Sequence, residues 1–325
     1  MLRVAVVGGT HGNEYTGVFV VRRLEARSTE LAARFPRLAI TTLVANAEAH
    51  KANRRFIDED LNRQFSVAKL EAAAAGPSPP PTVEARRALE IDALLGPKRA
   101  PTYDVVVDLH TTTANMGTTI IVDEWDAELG VRLAAYVVSR APEVTKLLFN
   151  TIPGRDESPY LASVGRHALE IECGPTPQGV LRHDVVAATE QALYDVFDYL
   201  DKNGDVSETL PETVDAYETL GSHEKLSWPV DDAGFPTAVV HRDLQDRDYE
   251  PLRPGDAVFE TLDGDVIAYD GPDVAYPIFI NEGGYYYSSS GRGIGLTRKV
   301  ALDVPANIDL LAAAKGGSSP SAEEL

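Results

Sequence analysis

Short apolar segments alternate with amphipathic stretches along roughly the first two thirds of the chain. The apolar segments are rich in β-branched residues and predict strands at residues 4–7, 38–45, 103–109, 118–123, 147–152 and 167–173. The amphipathic stretches predict helices at residues 14–26, 83–95, 125–141 and 184–202. Strands that alternate with helices predict an α/β fold, in which helices cover both faces of a sheet.

The pattern changes after residue 203. Short apolar runs such as TAVVH, AVFET, DVIAY and YPIFIN are separated there by the turn sequences DDAG, RPGD, LDGD and YDGPD. This spacing is typical of a small, mostly antiparallel β domain. We therefore predict one domain over residues 1–203, a second over 204–311, and a disordered tail at 312–325. A Pro-, Ala- and Gly-rich segment at 72–82 predicts an exposed loop in the first domain.

Composition narrows the class of protein. A chain of 325 residues accommodates two domains, and its 1 Cys cannot form an intrachain disulfide. No apolar run approaches the roughly 18–20 residues that cross a bilayer. The N-terminal apolar strand is too short for a signal peptide. We therefore expect a soluble protein of the cytoplasm.

The charge balance restricts the partners and suggests a saline environment. Asp plus Glu number 50 and Lys plus Arg number 30, so the formal net charge is −20. An acidic surface repels nucleic acid and anionic membranes, and we expect neither as a partner. The basic residues are 22 Arg and only 8 Lys, a balance typical of halophilic proteins, whose self-repulsion is screened by salt. An acidic protein from a GC-rich genome is the alternative interpretation.

The sequence GGTHGNE places His11 and Glu14 three residues apart, directly after the first predicted strand. A catalytic zinc ion usually takes three ligands from His, Glu or Asp and leaves a fourth position for water. The glycines of this segment allow the backbone to bend around an ion. A glycine-rich turn with a helix cap is the alternative. A phosphate-binding loop is disfavoured, because the Lys-Ser/Thr ending and the GxGxxG spacing are both missing.

His110 directly follows the predicted strand YDVVVDL. In open α/β sheets, ligands bind outside the carboxyl ends of the strands, so His11 and His110 are expected to converge. A hydrogen-bonded core histidine is the alternative. Asp108, two residues earlier, is a candidate to orient a metal ligand or to pair with a buried backbone group.

Three further segments carry candidate chemistry. Residues 53–63 combine guanidinium and amide groups that could bind a carboxylate, although a solvated face is the usual explanation of such a run. Strand alternation places Glu170 and Glu172 on one face, and Glu172 before Gly-Pro is suited to act as a general base. An exposed carboxylate at a strand end is the alternative. The hydroxyl groups of the run Tyr285–Tyr287 could contact a substrate, and ordinary packing is the alternative.

Taken together, several segments resemble the succinylglutamate desuccinylase/aspartoacylase family of zinc amidohydrolases. The matching sequences are VAVVGGTHGNEYTGVFVV, FIDEDLNRQF, LGPK, YDVVVDLHTTTANMG, EIECGPTPQGVLR, LQDRDYEPLRPGDAVFETLDG and YPIFINEGGYYY. They occur from residue 4 to residue 287 and so cover both predicted domains. The resemblance implies a zinc-carboxypeptidase-like mixed sheet flanked by helices, followed by a smaller β domain that caps the active-site channel.

The resemblance also implies the roles of individual residues. Carried over position by position, it assigns one zinc ion to His11, Glu14 and His110, catalysis to Glu172 and Arg55, and substrate binding to Asn62, Arg63 and Tyr285. The implied activity is hydrolysis of an N-acyl amino acid, with N-acetyl-L-aspartate as the expected substrate. A deacylase of another N-acyl amino acid, a carboxypeptidase and a non-catalytic metal-binding protein are the alternatives, and self-association is common in the family.

One position departs from the family pattern. Counted without a gap, the arginine that recognises the aspartate side chain in the animal enzymes falls on Ala162. Arg155, Tyr160 and Arg166 lie nearby in the sequence and are candidates to replace it. This departure leaves the predicted metal site unchanged and opens the question of amino-acid specificity.

Overall fold

A computed structural model describes residues 1–76, 82–205, 210–220, 225–286 and 293–310. Its helices are α1 (Tyr15–Ala26), α2 (Ser28–Arg34), α3 (Ala47–Lys51), α4 (Val67–Ala74), α5 (Val83–Leu95), α6 (Ala127–Arg140) and α7 (His183–Asp201). Its strands are β1 (Leu2–Gly8), β2 (Leu38–Val44), β3 (Val105–Thr111), β4 (Gly117–Asp123), β5 (Thr145–Asn150), β6 (His167–Gly174), β7 (Thr213–Thr219), β8 (Lys225–Leu226), β9 (Ala238–Val240), β10 (Ala257–Thr261), β11 (Val266–Ala268), β12 (Tyr276–Ile278) and β13 (Ile294–Asp303). Short 3-10 helices occur at Leu61–Arg63, Glu124–Asp126, Leu161–Val164 and Gly283–Tyr285.

Most of the strands form one large mixed sheet. Its order is β12-β13-β7-β5-β4-β6-β3-β1-β2, with β8 paired to β13. The pairs β2/β1, β1/β3, β3/β6, β4/β5 and β5/β7 are parallel, whereas β4/β6 and the pairs made by β13 are antiparallel. Strands β9, β10 and β11 form a separate antiparallel sheet. The predicted fold class, a mixed sheet flanked by helices with a smaller antiparallel unit, is confirmed.

Alternate residues of the central strands face two different cores. Val4 and Val6 of β1 pack with α1, α6 and α7 on one face of the sheet. Ala5 and Val7 face the opposite side, toward α4 and α5. The even-numbered residues of β3 and β6 face this second side, which places His110 and Glu172 there.

The structure corrects several expected boundaries. His110 lies within β3 and does not follow it, because the strand extends to Thr111 through pairing with β6. The expected loop at 72–82 begins inside α4, where Ala-rich sequence continues the helix to Ala74, and residues 77–81 of it lie outside the described residues. The expected tail at 312–325 also lies outside them. Within the described parts, no helix has both the length and the apolar composition that a membrane span requires.

The chain after residue 203 contributes to both sheets. Strands β7, β12 and β13 extend the large sheet beyond β5, whereas β9, β10 and β11 enclose a separate core around Trp228, Phe259 and Ile280. The segment between β12 and β13 then returns to the carboxyl edge of the large sheet, where Glu282 bonds to Thr112. The two parts of the chain therefore meet at the edge where His11 and His110 lie.

Candidate active site

Three parallel strands end at the candidate site. The loop after β1 carries His11 and Glu14, β3 carries His110, and the neighbouring β6 carries Glu172 directly beside His110. The β1 loop packs closely against α3, and a Cβ atom on Gly12 would lie 2.3 Å from the backbone of Ala49. Only glycine permits this approach, which brings His11 over the strand ends.

His11, Glu14 and His110 converge on one point. Their ligand atoms all lie within 4.8 Å of one another, and all three residues are buried. Nδ1 of His11 lies 2.6 Å from Oε1 of Glu14, and Nδ1 of His110 lies 3.0 Å from Oε2 of the same carboxylate. Two imidazoles and one carboxylate are the donor set of a catalytic zinc site with an open fourth position.

Each histidine is held by a second carboxylate on its other ring nitrogen. Nε2 of His110 lies 2.9 Å from Oδ2 of Asp108, and Nε2 of His11 lies 3.1 Å from Oδ1 of Asp60. Metal-binding histidines typically have such partners, which fix the ring orientation. Burial alone would lower the pKa of His110, but Asp108 and Glu14 raise it well above the usual value. The donor set of two imidazoles and Glu14 fits a divalent metal ion, which would displace the proton of His110 on binding.

Glu172 lies beside this cluster without a partner of its own. Its Oε1 atom is buried and accepts no hydrogen bond from any described residue. Burial raises the pKa of Glu172 well above the usual value, and the negative charge of Glu14 raises it further. A buried carboxylate oxygen without a hydrogen-bond donor is energetically unfavourable and usually has a function. Because no described group of the protein occupies this oxygen of Glu172, it is available to accept a proton from a molecule in the cavity.

Arg55 carries a guanidinium group at the rim of the cluster. Its Nε and Nη2 atoms each donate to Oδ2 of Asp60 over 3.2 Å, and Nη1 lies 3.4 Å from Oε1 of Glu14. Nη1 also lies 3.9 Å from Oε1 of Glu282. Burial opposes its charge, but these carboxylates raise the pKa of Arg55, which therefore remains a fixed cation.

Glu282 connects the C-terminal part of the chain to this network. Its Oε2 atom accepts hydrogen bonds from Thr112 Oγ1 over 2.6 Å and from the backbone N–H of Thr113 over 2.9 Å. Its Oε1 atom accepts from the N–H of Gly284 over 2.7 Å. Glu282 therefore fixes the 3-10 turn that carries Tyr285 against the end of β3.

Asn62 and Arg63 form another wall of the cavity. The amide oxygen of Asn62 accepts from the N–H of Leu161 over 2.8 Å, and its Nδ2 atom lies 3.4 Å from Oε1 of Glu170. Arg63 donates to the backbone oxygen of Asn62 over 2.9 Å and lies over the ring of Tyr160 at 5.1 Å. The guanidinium of Arg63 thus has free N–H groups for a carboxylate.

Tyr285 lies in the cavity wall at the opening of the site. It is half-buried, and its ring packs against Phe279 at 5.7 Å. Burial raises the pKa of Tyr285, although Arg63 and Arg55 oppose this shift. The hydroxyl therefore stays protonated and available as a hydrogen-bond donor near both guanidinium groups.

All the residues assigned from the sequence line one cavity. They are His11, Glu14, Arg55, Asn62, Arg63, His110, Glu172 and Tyr285. The same cavity is lined by side chains without an assigned role, which are Thr111, Ile121, Leu148, Asn150, Tyr160, Glu170, Phe279 and Glu282. The cavity is therefore polar around His11 and His110 and becomes partly apolar toward β4 and β5.

The residues near Ala162, the position that departs from the family pattern, differ in whether they face the cavity. Ala162 belongs to the 3-10 helix Leu161–Val164, is buried in the core and does not line the cavity. Arg166 lies 4.0 Å from Asp104, and Arg155 donates to the backbone oxygen of Gly165, so neither lines the cavity. Of the nearby candidates, Tyr160 alone faces it within the described residues.

Sequence reasoning missed Asp60 and Glu84. Asp60 lies next to the residues singled out at 53–63, but its bond to His11 joins positions 49 residues apart. Glu84 is fully buried and accepts from the backbone N–H groups of Ile57, Asp58 and Glu59. A charged residue in the first turn of an amphipathic helix gives no sequence signal of such a role.

A mixed sheet with a His, Glu and His cluster at its carboxyl edge defines a carboxypeptidase-like α/β protein. Residues 1–200 match the succinylglutamate desuccinylase/aspartoacylase catalytic domain, and residues 212–291 match the AstE/AspA barrel-sandwich hybrid domain. The chain belongs to the succinylglutamate desuccinylase/aspartoacylase family, as the sequence resemblance indicated. The domain boundary expected after residue 203 falls between the two matched segments and stays a prediction.

Similarity to individual relatives extends over most of the chain. A probable aspartoacylase of Nostoc sp. is 40% identical over 286 residues, which are 87% of this chain and 92% of the relative. The N-acyl-aromatic-L-amino acid amidohydrolase (carboxylate-forming) of Rattus norvegicus is 36% identical over 307 residues, 94% of this chain and 93% of that protein. The crystal structure of murine aminoacylase 3 has a TM-score of 0.84 at 33% identity, covering 94% of this chain and 97% of its own.

Proposed function

We propose that this chain is a zinc-dependent amidohydrolase that cleaves an N-acyl amino acid into a carboxylate and a free amino acid. One observation carries the proposal. The convergent donors of His11, Glu14 and His110 lie beside the unpartnered carboxylate oxygen of Glu172. A metal-ligand set next to a free base is an arrangement that supports hydrolysis of an unactivated amide.

The proposed mechanism assigns the proton transfers to Glu172. Zinc held by His11, Glu14 and His110 supplies Lewis-acid polarisation of the amide carbonyl and lowers the pKa of water. Glu172 accepts a proton from the attacking water and returns it to the nitrogen of the leaving amino acid. The raised pKa of Glu172 makes its carboxylate a stronger base for the first of these transfers.

The guanidinium groups have separate roles in this mechanism. Arg55 is held in place by Asp60 and Glu282, and it opposes the negative charge that develops on the carbonyl oxygen. One such pre-oriented donor contributes about 3–4 kcal/mol to the transition state. Arg63 binds the substrate carboxylate with its free N–H groups. Asn62 offers its remaining amide N–H beside it, and Tyr285 offers a hydroxyl donor at the opening.

The relatives leave the amino acid open. The Nostoc relative is named a probable aspartoacylase, whereas the rat relative is named for N-acyl-aromatic amino acids. N-Acetyl-L-aspartate is the substrate expected from the sequence, and another N-acyl amino acid is the alternative. A carboxypeptidase is disfavoured, because a peptide substrate needs a more open cleft, whereas the C-terminal part of the chain contributes Glu282 and Tyr285 to the wall of this cavity.

Turnover of a substrate panel after chelation, with and without added zinc, tests the proposal. The panel contains N-acetyl-L-aspartate, N-acetyl-L-glutamate, N-succinyl-L-glutamate and N-formyl-L-aspartate, at high salt. Zinc-restored release of a free amino acid is the expected result. A folded, zinc-loaded protein that hydrolyses no N-acyl amino acid would overturn the proposal and leave a metal-binding protein.

The variant Glu172→Gln tests the assigned base. It preserves size and removes the proton acceptor, so we expect bound zinc to be retained and turnover to fall by roughly 10²–10⁴-fold. The measurements are zinc content by atomic absorption and kcat at saturating substrate. Loss of zinc together with activity would instead identify Glu172 as a metal ligand.

A further inference from the structure

The carboxyl groups of the cavity differ in how they are paired. Glu14 faces both histidines, Glu282 accepts several hydrogen bonds, and Glu172 is the proposed base. Glu170 has no place in the proposed mechanism, although it lines the same cavity. Its hydrogen bond among the described residues is the long one from Nδ2 of Asn62, over 3.4 Å. A carboxylate is thus presented to the cavity with most of its acceptor capacity unused.

The basic side chains of the cavity cannot neutralise Glu170 and a second anion together. Besides the two histidines, the described cavity contains Arg55 and Arg63, and the charge of a bound zinc ion would be balanced by Glu14 and Glu172. Arg55 is already paired with Asp60 and lies near Glu282. Arg63 is the cation that remains for the substrate, and one carboxylate of the substrate occupies it.

Asn62 places Glu170 next to this carboxylate anchor. The backbone oxygen of Asn62 accepts from Arg63, while its side-chain amide donates to Glu170. An amino acid carries its α-carboxylate and its side chain on the same carbon atom. A substrate held through its α-carboxylate on Arg63 therefore has its side chain within reach of the part of the cavity that contains Glu170.

Glu170 lies close to Asp108 and His110, their polar atoms being within 4.8 Å of one another, and it meets an apolar surface along the neighbouring strands. In the sheet, Glu170 of β6 pairs with Ile121 of β4, which pairs with Leu148 of β5. Cross-strand partners project to the same face, and both apolar side chains line the cavity together with Phe279. The side-chain pocket thus combines an apolar wall with an acidic group.

We propose that Glu170 determines the amino-acid specificity, so that the cavity accepts N-acyl amino acids with uncharged side chains and discriminates against a side-chain carboxylate. This inference rests on the proposed function of the same site. A carboxylate of the substrate next to Glu170 would meet like charge in a partly desolvated pocket, and the described lining of the cavity offers no unpaired cationic side chain to offset it. Amide, aliphatic and aromatic side chains avoid this repulsion and contact Ile121 and Leu148.

N-Acetyl-L-asparagine and N-acetyl-L-aspartate form the decisive pair of substrates, because they match in size and differ in charge. We expect the zinc-loaded protein to hydrolyse the asparagine compound with at least about tenfold higher kcat/KM. Burial raises the pKa of Glu170 to about 7, so the assay is run at pH 8 or above with salt held constant.

The variant Glu170→Gln removes the charge and keeps an oxygen for Asn62. We expect it to lower the asparagine-to-aspartate ratio of kcat/KM about tenfold, mainly through a lower KM for N-acetyl-L-aspartate. Glu128→Gln is the matched control, since Glu128 is exposed on α6 and changes the net charge equally. A merely structural role of Glu170 would change both substrates alike and leave the ratio unchanged.

Binding to the Glu172→Gln holoprotein, measured by calorimetry, adds a readout that does not need turnover. Tighter binding of N-acetyl-L-asparagine than of N-acetyl-L-aspartate supports the inference. Equal or preferred use of the aspartate compound by the wild-type protein, or an unchanged ratio in Glu170→Gln, overturns it while the proposed function stands. Absence of both binding and hydrolysis for every N-acyl amino acid overturns the proposed function, and the inference with it.

Discussion

The carboxylates behind the two histidines differ in what else they hold. Asp108 contacts His110 and accepts from Thr10 Oγ1 over 2.8 Å, whereas Asp60 contacts both His11 and Arg55. Asp60 therefore links the predicted metal site to the group proposed to stabilise the transition state. We therefore expect a single substitution of Asp60 to disturb both metal binding and the position of Arg55.

The variant Asp60→Asn tests this link. It weakens the orientation of His11 and releases Arg55, so we expect zinc affinity to fall by roughly 10–100-fold. Competition with a chromophoric zinc chelator measures the affinity, and kcat of the fully loaded variant measures the separate effect on Arg55. Asp108→Asn is the comparison, since it should weaken zinc binding without the additional loss in kcat. Unchanged zinc affinity in Asp60→Asn would mean that His11 needs no such partner.

At the residue scale, the sequence predicts the candidate metal ligands and the candidate base better than it predicts the residues that hold them in place. His11, Glu14 and Glu172 lie in short motifs next to strand ends, and parallel strand ends share one edge of a sheet. Their convergence could therefore be predicted from local pattern, and the structure brings them to one cavity. The contact of Asp60 with His11 depends on the path of the intervening 49 positions, which no local pattern determines.

At the element scale, helix α5 organises the loop that carries Arg55 and Asp60. Glu84 in its first turn is fully buried and accepts from the N–H groups of Ile57 over 2.7 Å and Asp58 over 3.0 Å. It also accepts from Asn46 Nδ2 over 3.1 Å. The loop thus owes its shape to a carboxylate from a distant part of the chain, and Glu84 positions Arg55 without touching the cavity.

The variant Glu84→Gln replaces one acceptor oxygen by an amide that faces backbone donors. We expect it to cost about 1–3 kcal/mol of unfolding free energy, because a buried N–H loses its partner. We also expect a lower kcat for the folded fraction. Urea denaturation and steady-state kinetics measure the two effects. Glu90→Gln on the exposed face of the same helix is the control, and an equal loss in both variants would contradict the assigned role.

The positions of the strands can be predicted from the hydrophobic pattern of the sequence, whereas their pairing in the sheet cannot. Apolar runs locate β1, β3 and β6 closely, since their residues are buried on both faces of the sheet. The antiparallel insertion of β4 beside β6 depends on contacts between distant segments. The same holds for β7 and β13, which complete the large sheet from the C-terminal part of the chain. Hydrophobic periodicity indicates which residues of a strand are buried, but it does not determine which strand lies beside it in the sheet.

At the scale of the whole molecule, Asp248 joins the C-terminal part to the sheet edge. Its carboxylate accepts from the N–H of Ile280 over 3.0 Å and from the N–H of Asn115 over 3.2 Å. Burial raises the pKa of Asp248 from 3.8 to about 7. The folded state therefore binds this proton more tightly than the unfolded state, and stability from this group is lost as the pH rises from about 4 to about 7.

The variant Asp248→Asn removes this titration. Relative to the wild-type protein, its unfolding free energy should increase over that pH range by at most about 4 kcal/mol and stay constant above it. A lost hydrogen bond to Asn115 would lower the whole curve without changing its slope. Urea denaturation at a series of pH values measures the difference. Parallel curves for the two proteins would show that Asp248 does not titrate in this range.

From the net charge of −20, we expect the stability of the whole molecule to depend on salt. Carboxylates that repel one another over the surface are screened as the Debye length falls from about 10 Å at 0.1 M salt to about 3 Å at 1 M. If the acidic composition reflects adaptation to high salt, Tm should rise by at least about 5 °C between these concentrations of KCl, which corresponds to roughly 2 kcal/mol. Scanning calorimetry measures the rise, and sucrose at matched osmolality is the control for excluded-solute stabilisation. The cavity and its ion pairs are buried and contribute little to this screening, so the rise in Tm reports the surface carboxylates. A Tm that does not change with KCl would favour the interpretation of an acidic protein from a GC-rich genome.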